Sequence, residues 1–247
     1  MTSPTDHLLA ARTASDAGRL LLELRAGATE GGERLGRTAD RSSHELLVSE
    51  LGAADPSARV LSEEADTDDP SRLDAERVWI IDPLDGTREY TEPGRDDWAV
   101  HVALVEGGQL VAGAVALPAR AMTLSTGSAA APPVARRARP VVVVSRSRPP
   151  AAAAEVARSL GAELRPMGSA GAKAMAVVLG EADAYVHAGG QYEWDSAAPV
   201  AVAAATGLHT SRLDGSPLRY NQRDPWLPDL VVCRPELADR VLAAANG

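Results

Sequence analysis

The most informative part of the chain is the segment Trp79-Ile80-Ile81-Asp82-Pro83-Leu84-Asp85-Gly86-Thr87. It begins with a continuous apolar run, which is typical of a strand that is buried on both faces. Because proline fixes its own φ and restricts the residue before it, we expect Pro83 to end the strand and to point the Asp82 carboxylate out of its end. Gly86 permits a tight turn, and Thr87 is a suitable cap for the short helix that should follow.

Two carboxylates three positions apart, Asp82 and Asp85, therefore lie between a buried strand and a helix. Magnesium prefers oxygen ligands from carboxylates, carbonyls, water and substrate phosphate. Free backbone N–H groups at the start of a helix favour an anion. The segment thus predicts a site for divalent cations beside a phosphate group.

Other acidic residues are expected at the ends of predicted elements, where side chains from distant parts of the chain can converge. Asp40 opens a predicted helix, Glu63 ends a predicted strand, and Asp195 opens a later helix. Glu63, Asp82, Asp85 and Asp195, together with the Leu84 carbonyl, would hold two cations, one activating water and the other stabilising the departing oxygen. Thr87 and Asp40 would orient that water.

The composition of the chain limits the kinds of molecule that it can be expected to bind. With 247 residues and a formal net charge of −9, the chain can bury a large core but lacks the basic surface that nucleic-acid binding requires. Its only cysteine, Cys233, lies in an apolar run and is expected in a buried strand. The N-terminus shows neither a signal-peptide pattern nor an apolar span. These features fit a cytoplasmic protein without a membrane partner.

The order of predicted elements indicates a mixed α/β chain. Two helices precede a meander of strands in the first half, whereas strands and helices alternate in the second half. A segment rich in proline, glycine and alanine, residues 127–140, is the best linker candidate. We therefore divide the chain into an N-terminal α+β half, residues 1–135, with most metal ligands, and a C-terminal α/β half, residues 136–247, with Asp195 and the substrate contacts.

The expected bounds of the elements follow from periodicity and from stop signals. The predicted helices cover residues 6–26, 40–51, 150–160, 169–180, 194–206 and 235–245. The predicted strands cover residues 59–62, 78–81, 97–105, 109–117, 121–125, 141–144, 162–165, 183–187, 209–212 and 230–233. Gly107-Gly108 predicts a hairpin, and Gly189-Gly190 is interpreted as a turn.

The ordered motifs resemble those of the inositol monophosphatase superfamily. Asp82 to Thr87 is similar to its signature, Ser62-Glu63-Glu64 to its upstream glutamate motif, and Trp194-Asp195-Ser196-Ala197-Ala198 to its downstream motif. Thr38-Ala39-Asp40 and the segments 168–170 and 180–185 resemble further family elements, and the similarity spans residues 5–245. The resemblance implies a layered αβαβα sandwich and hydrolysis of phosphate monoesters with two or three Mg²⁺ ions.

The resemblance also implies roles for individual residues. The implied metal ligands are Glu63, Asp82, the Leu84 carbonyl, Asp85 and Asp195. Asp40 and Thr87 would activate water. The implied substrate contacts are Gly86, Thr87, Arg88, Ser169, Lys173, Glu193 and Asp195.

Residues next to these motifs favour one branch of the family. Arg88-Glu89-Tyr90 and Ser62 resemble the CysQ-type branch, which converts 3′-phosphoadenosine 5′-phosphate to AMP and phosphate. Glu193 and Lys173 also favour this branch. Because that substrate carries a second phosphate, it needs further cationic or N–H groups, for which Arg88, Lys173 and the turn at Ser169 are the candidates.

Several alternatives stay open. The same metal site would serve an inositol 1-phosphate or sugar phosphatase, such as one for fructose 1,6-bisphosphate, while a non-catalytic metal-binding interaction protein and a two-metal nuclease fit less well. His101 is interpreted as a structural histidine without a metal-ligand partner, and Trp98 and Trp226 as core or rim residues. Arg146 and Arg148 belong either to a solvated loop or to a phosphate contact. A homodimer is left open.

Overall fold

The computed structural model describes residues 4–29, 31–65, 69–132 and 137–247. Within these residues the chain forms two five-stranded sheets and seven α-helices. The helices are α1 (Pro4–Gly27), α2 (Glu33–Ala54), α3 (Thr87–Thr91), α4 (Ala151–Leu160), α5 (Ala170–Val178), α6 (Glu193–Ala205) and α7 (Ala238–Ala245). The strands are β1 (Arg59–Ser62), β2 (Arg77–Asp85), β3 (Ala99–Glu106), β4 (Gln109–Leu117), β5 (Met122–Ser125), β6 (Val141–Ser145), β7 (Glu163–Met167), β8 (Ala184–Tyr192), β9 (His209–Ser211) and β10 (Trp226–Cys233).

The two sheets have different topologies. The first has the order β1-β2-β3-β4-β5, with β1 parallel to β2 and the remaining neighbours antiparallel. The second has the order β7-β6-β8-β10-β9, in which β6 pairs in parallel with β7 and β8 while β10 runs antiparallel to β8 and β9. The predicted meander and the alternating second half therefore each form one sheet.

The helices form three layers around the sheets. α1 and α2 cover the outer face of the first sheet, α5 and α6 lie between the sheets, and α4 and α7 cover the outer face of the second. α6 packs closely against the first sheet, since a Cβ added to Gly113 of β4 would lie 2.7 Å from the Ala201 methyl of α6. This arrangement confirms the expected αβαβα sandwich.

Pro83 does not end its strand, as the sequence argument expected. β2 continues to Asp85, and its pairing with β3 shifts between Asp82, which lies opposite His101, and Asp85, which lies opposite Ala99. Two residues of β2 thus face one residue of β3, which is a β-bulge, one of the few places in a sheet that accept proline. The bulge, rather than a strand end, sets the directions of the two aspartates.

Two further expectations need adjustment. α2 begins at Glu33, so Asp40 lies inside the helix instead of opening it. Gly189-Gly190 is part of β8, where the pairing with β10 shifts, and forms a second bulge rather than a turn between elements. The predicted boundary between the two halves, at residues 135 and 136, lies outside the described residues.

Candidate active site

Acidic side chains from separate elements line one cleft of about 480 Å³. Glu63 follows β1, Asp85 ends β2, and Asp195 lies in the first turn of α6. The other residues of the cleft wall are Ser145, Arg148, Ser169, Ala170, Lys173, Tyr185, His187, Gly189, Gly190, Gln191, Tyr192, Trp194 and Trp226. The fold thus brings together carboxylates that are more than 100 positions apart in the sequence.

Asp82, Asp85 and His101 form a compact group beneath the cleft. One ligand atom from each lies within 4.8 Å of the others, and all three side chains are buried. The Asp82 carboxylate accepts a hydrogen bond from the Leu84 N–H at 3.1 Å. The two carboxylates of this group offer oxygen donors of the kind that a divalent cation prefers.

His101 was interpreted as a structural histidine without a metal-ligand partner, yet it contacts the acidic group. Its Nε2 lies 3.1 Å from Oδ2 of Asp85. Because a carbonyl can only accept, its Nδ1 donates to the backbone oxygen of Trp194 at 3.0 Å. The pairing of β2 with β3 explains the position, since His101 lies directly opposite Asp82.

Asp85 is held in place by the turn that precedes α5. Its Oδ2 accepts hydrogen bonds from the Ser169 hydroxyl at 2.5 Å and from the Gly171 N–H at 2.7 Å. Burial alone would raise the pKa of Asp85, but the positive charges of His101 and Lys173 and the hydrogen bonds lower it to about 2. Asp85 is therefore ionised at neutral pH.

The remaining carboxylates repel one another. Burial raises the pKa of Glu63 to about 8, that of Asp195 to about 6 and that of Asp82 well above its usual value, because a buried carboxylate loses its hydration. The negative charges of neighbouring carboxylates raise these pKa values further. This holds for Glu63 even though part of its side chain reaches solvent. His101 and Lys173 offset only part of this negative charge. A bound divalent cation would relieve the remaining repulsion.

Thr87 and Asp40 meet as the resemblance implied. The Thr87 hydroxyl lies 3.1 Å from Oδ2 of Asp40 and 3.2 Å from the Leu84 carbonyl, so it can donate to either acceptor. Oδ1 of Asp40 is buried without a protein partner among the described residues. Burial, followed by repulsion from Glu64, raises the pKa of Asp40 to about 7. α2 can approach α3 here because residue 36 is glycine: a Cβ added to Gly36 would lie only 2.7 Å from the Thr87 methyl.

Neither Gly86 nor Arg88 is among the residues that line the cleft. Gly86 has a φ of 89° and precedes α3, as expected for a turn that needs glycine. The side chain of Arg88 is exposed and is not part of the cleft wall. The predicted substrate contact of Arg88 does not agree with this placement.

The segment 168–171 is the most constrained turn of the site. Ser169 has a positive φ of 41°, and its hydroxyl accepts from the Ala172 N–H at 2.9 Å, which caps α5. Gly168 donates its N–H to Asp97 at 2.6 Å, and a Cβ at this position would lie 2.2 Å from Cγ of Glu89. Contacts with Asp97 and Glu89 thus hold this segment in place, and the segment in turn holds the Asp85 carboxylate through Ser169 and Gly171.

Lys173 lies beneath this turn. Its Nζ donates to the carbonyls of Gly168 at 2.9 Å and Ser169 at 2.6 Å and lies 5.2 Å from the centre of the Tyr185 ring. Burial lowers its pKa to about 8, although Asp85 and other carboxylates act in the opposite direction. Lys173 thus supplies a positive charge next to the acidic cluster and lines the cleft.

Glu193 does not face the cleft, contrary to the predicted substrate contact. Its carboxylate is fully buried and accepts hydrogen bonds from the backbone N–H groups of Asn221 at 2.6 Å and Gln222 at 2.7 Å. The next acidic residue of α6, Asp195, does line the cleft and accepts from the Tyr192 N–H at 2.6 Å. Glu193 therefore holds the loop 221–222, while Asp195 lines the cleft.

The two arginines left open by the sequence differ. Arg146 forms ion pairs with Glu89 and Glu92 and so connects β6 to α3. Arg148 is exposed, lines the cleft, and has no acidic partner in the part of the chain that the structure describes. Of the two, Arg148 is the one placed to meet an anion in the cleft.

Comparison with known proteins identifies the family. The sequence profile of the inositol monophosphatase family matches residues 10–246. The chain belongs to the inositol monophosphatase family. It is 52% identical over 238 residues to the 3′-phosphoadenosine 5′-phosphate phosphatase of Mycobacterium bovis, covering 93% of this chain and 89% of that protein. The corresponding protein of Mycobacterium leprae is 50% identical, with 96% of this chain and 92% of the relative covered.

Solved structures agree with this assignment. CysQ from Bacteroides thetaiotaomicron, a bacterial member of the inositol monophosphatase family, has a TM-score of 0.79 and 26% identity, covering 93% of this chain and 97% of the other. Inositol monophosphatase II from Staphylococcus aureus has a TM-score of 0.80 at 19% identity, over 97% of this chain and 95% of the other, which shows the shared fold. Among the described helices, none combines the length and apolar character needed to cross a membrane.

Proposed function

We propose that this inositol monophosphatase family member hydrolyses the 3′-phosphate of 3′-phosphoadenosine 5′-phosphate, giving AMP and phosphate. The observation that carries the proposal is the identity of at least 50%, over nearly the whole chain, to relatives named for that activity. The placement of the family motifs around one cleft supports it.

The residues of the site fit a divalent cation. Glu63, Asp82, the Leu84 carbonyl, Asp85 and Asp195 would hold two or three Mg²⁺ ions, because they offer oxygen donors. The raised pKa values of Glu63, Asp82 and Asp195 reflect burial together with unrelieved negative charge. Magnesium bound there would supply positive charge that offsets the charge of the phosphoryl group and of the departing oxygen.

Thr87 and Asp40 would prepare the attacking water. A water oxygen attacks phosphorus and the bond from phosphorus to the ribose 3′-oxygen breaks. The water proton passes through the Thr87 hydroxyl to Oδ2 of Asp40, while the ribose oxygen takes a proton from solvent. A carboxylate whose pKa is raised to about 7 is well matched to accept a proton near neutral pH.

The second phosphate of the substrate would lie on the cationic side of the cleft. Arg148 offers a guanidinium that has no acidic partner among the described residues, and a guanidinium suits a phosphate group through two parallel hydrogen bonds. Lys173 adds positive charge beneath the turn at Ser169. In this proposal Arg148 takes the role that the sequence gave to Arg88.

A panel of phosphate-release assays tests the proposal. With Mg²⁺, kcat/KM for 3′-phosphoadenosine 5′-phosphate should exceed the values for inositol 1-phosphate and fructose 1,6-bisphosphate by at least about tenfold, equivalent to about 1.4 kcal/mol. Removal of Mg²⁺ by EDTA should abolish turnover, and its return should restore it. Faster release from inositol 1-phosphate would favour the alternative phosphatase, and background release from every phosphate monoester would favour a non-catalytic protein.

A further inference from the structure

A buried carboxylate outside the cleft contacts the turn that holds Asp85. Asp97 lies just before β3, is 8% exposed and is not among the residues that line the cleft. Its Oδ2 accepts a hydrogen bond from the Gly168 N–H at 2.6 Å, across 71 positions of the sequence. Asp97 is therefore connected to the site through the backbone of this turn and not through the cleft.

The Asp97 carboxylate is itself fixed by a neighbouring arginine. Arg95 donates from Nε to Oδ1 of Asp97 at 2.8 Å and from Nη2 to Oδ2. Two parallel hydrogen bonds of this kind set the orientation of a carboxylate as well as its position. The oxygen that accepts the Gly168 N–H is thus held in one direction by the protein alone.

Two carboxylates from neighbouring strands of the first sheet accept hydrogen bonds from this one turn. Asp85 ends β2 and accepts from the Ser169 hydroxyl and the Gly171 N–H. Asp97 precedes β3, the antiparallel neighbour of β2, and accepts from the Gly168 N–H. The turn therefore spans the ends of two paired strands, and its bond to Asp97 helps to set its position over Asp85.

The conformation of the turn makes an external support necessary. Ser169 has a φ of 41°, in a region that residues other than glycine rarely adopt, and such positions persist only where the surrounding structure fixes them. Lys173 binds the carbonyls of the turn but cannot replace Asp97, because an ammonium group has no acceptor for the Gly168 N–H. Without Asp97, this buried N–H would lose its acceptor, and relaxation of the turn would move the donors that hold Asp85.

We propose that Asp97 is a positioning residue for the cation site, because it fixes the turn 168–171 and the turn fixes the direction of the Asp85 carboxylate. Groups that orient a metal ligand through hydrogen bonds change metal affinity when they are removed, typically by roughly 10- to 100-fold. The inference rests on the cation site of the proposed function and adds to it a residue that contacts neither the cation nor the substrate.

Asp97→Ala is compared with Asp183→Ala, which removes a similar carboxylate elsewhere. Asp183 is also buried and lies outside the cleft wall. It accepts the Val141 N–H at 2.8 Å and pairs with Arg137 at 2.9 Å. Both variants should lose stability in urea unfolding, because each leaves a buried N–H without its acceptor. Only Asp97→Ala should bind Mg²⁺ roughly 10- to 100-fold more weakly, as measured without substrate from Tm across a Mg²⁺ titration.

Asp97→Asn tests rescue by a conservative change. Its side-chain oxygen can still accept the Gly168 N–H, so the Mg²⁺ dissociation constant should stay within about threefold of the wild-type value. If Asp97→Ala does not fold, Asp97→Ser replaces it with the same expected weakening, since its hydroxyl is one bond shorter than the carboxylate. Wild-type Mg²⁺ affinity in the alanine or serine variant, an equal loss in Asp183→Ala, or an equal loss in Asp97→Asn would overturn the positioning role.

The wild-type protein separates this inference from the proposed function. If it binds no Mg²⁺, the proposed function and the positioning role both fail. If it binds Mg²⁺ but releases no phosphate from 3′-phosphoadenosine 5′-phosphate, the proposed function alone fails, because the affinity measurements need no substrate. If it is active and Asp97→Ala keeps its Mg²⁺ affinity, the positioning role alone fails. In the active protein, the Mg²⁺ concentration for half-maximal activity should rise in Asp97→Ala by the same factor as the dissociation constant.

Discussion

The Thr87 hydroxyl lies 3.1 Å from Oδ2 of Asp40 and so connects α3 with α2 across 47 positions of the sequence. In the proposed reaction, the Thr87 hydroxyl passes the proton of the attacking water to this carboxylate. We expect Thr87→Ala to lower kcat roughly 10²-fold, because the water loses its route to the carboxylate, while KM changes little. Steady-state kinetics with 3′-phosphoadenosine 5′-phosphate measure both constants.

Thr87→Ser is the matched control for this variant. It keeps the hydroxyl and loses only the methyl group that contacts the Gly36 region, so it should retain most of kcat. Equal losses in the serine and alanine variants would mean that packing of α2 against α3, rather than the hydroxyl, supports the reaction.

Asp85→Asn tests the proposed cation site. The amide has nearly the same size but no charge, so we expect kcat to fall by roughly 10² to 10³ and the Mg²⁺ concentration for half-maximal activity to rise. Asp239→Asn, an exposed change in α7, serves as the control. Wild-type kcat and Mg²⁺ activation in Asp85→Asn would remove Asp85 from the site.

Glu193→Gln should affect stability rather than substrate binding. Both backbone N–H groups of the loop 221–222 point to the Glu193 carboxylate, and a glutamine can accept only through its single oxygen. Losing a buried hydrogen bond to a charged group costs about 1–3 kcal/mol, which urea unfolding can measure. A large increase in KM with unchanged stability would return Glu193 to the substrate contacts, as the sequence had predicted.

The stability of the metal-free protein should fall as the pH rises from about 5 to 8. The folded protein raises the pKa of Asp195 to about 6, of Asp40 to about 7 and of Glu63 to about 8, above their unfolded values of 3.8 and 4.5. Folding therefore binds protons, and the stability these groups provide at low pH is lost as each ionises. The pKa of Asp85 is lowered to about 2, so its contribution changes only below about pH 4.

Thermal unfolding in EDTA across this pH range measures the effect. Added Mg²⁺ should raise Tm more at pH 8 than at pH 5, because the ionised carboxylates bind the cation and the protonated ones do not. An equal Mg²⁺ shift at both pH values would contradict the assignment of these carboxylates to the cation site.

Cys233 should resist alkylation in the folded protein. Its side chain is fully buried in β10, and burial, with a smaller effect of Glu236, raises the pKa of the thiol to about 12. Since the thiolate is the reactive species, iodoacetamide at pH 8 should label the native protein very slowly and the denatured protein rapidly. Mass spectrometry of timed samples gives both rates, and rapid labelling of the native protein would show that β10 opens easily.

The sequence predicted the parts of the fold that local patterns determine. The apolar run before Asp82 identified β2 because a strand covered on both faces needs such a run, and the glycine pair 107–108 identified the hairpin between β3 and β4. The bulge at Pro83 escaped prediction, since proline restricts the backbone in the same way at a strand end and at a bulge.

Contacts between residues far apart in the sequence were predicted only where the family resemblance assigns both residues to the same site. The motifs brought Asp40 and Thr87 together correctly. His101 was missed because its contact with Asp85 depends on the register between β2 and β3. Glu193 was misplaced because the motif contains two acidic residues, and only the start of α6 decides which of them points into the cleft. Side-chain direction at the start of a helix is a property of the tertiary structure.

The four tryptophans divide into two pairs with different surroundings. Trp79 and Trp98 are fully buried in the core under α1 and α2, whereas Trp194 and Trp226 lie in the cleft wall. Intrinsic fluorescence therefore contains two separable signals. Quenching by added AMP should report on the cleft pair while the buried pair stays shielded, and the red shift on denaturation should come mainly from Trp79 and Trp98. The protein thus carries built-in optical probes for ligand occupancy and for the integrity of its first sheet.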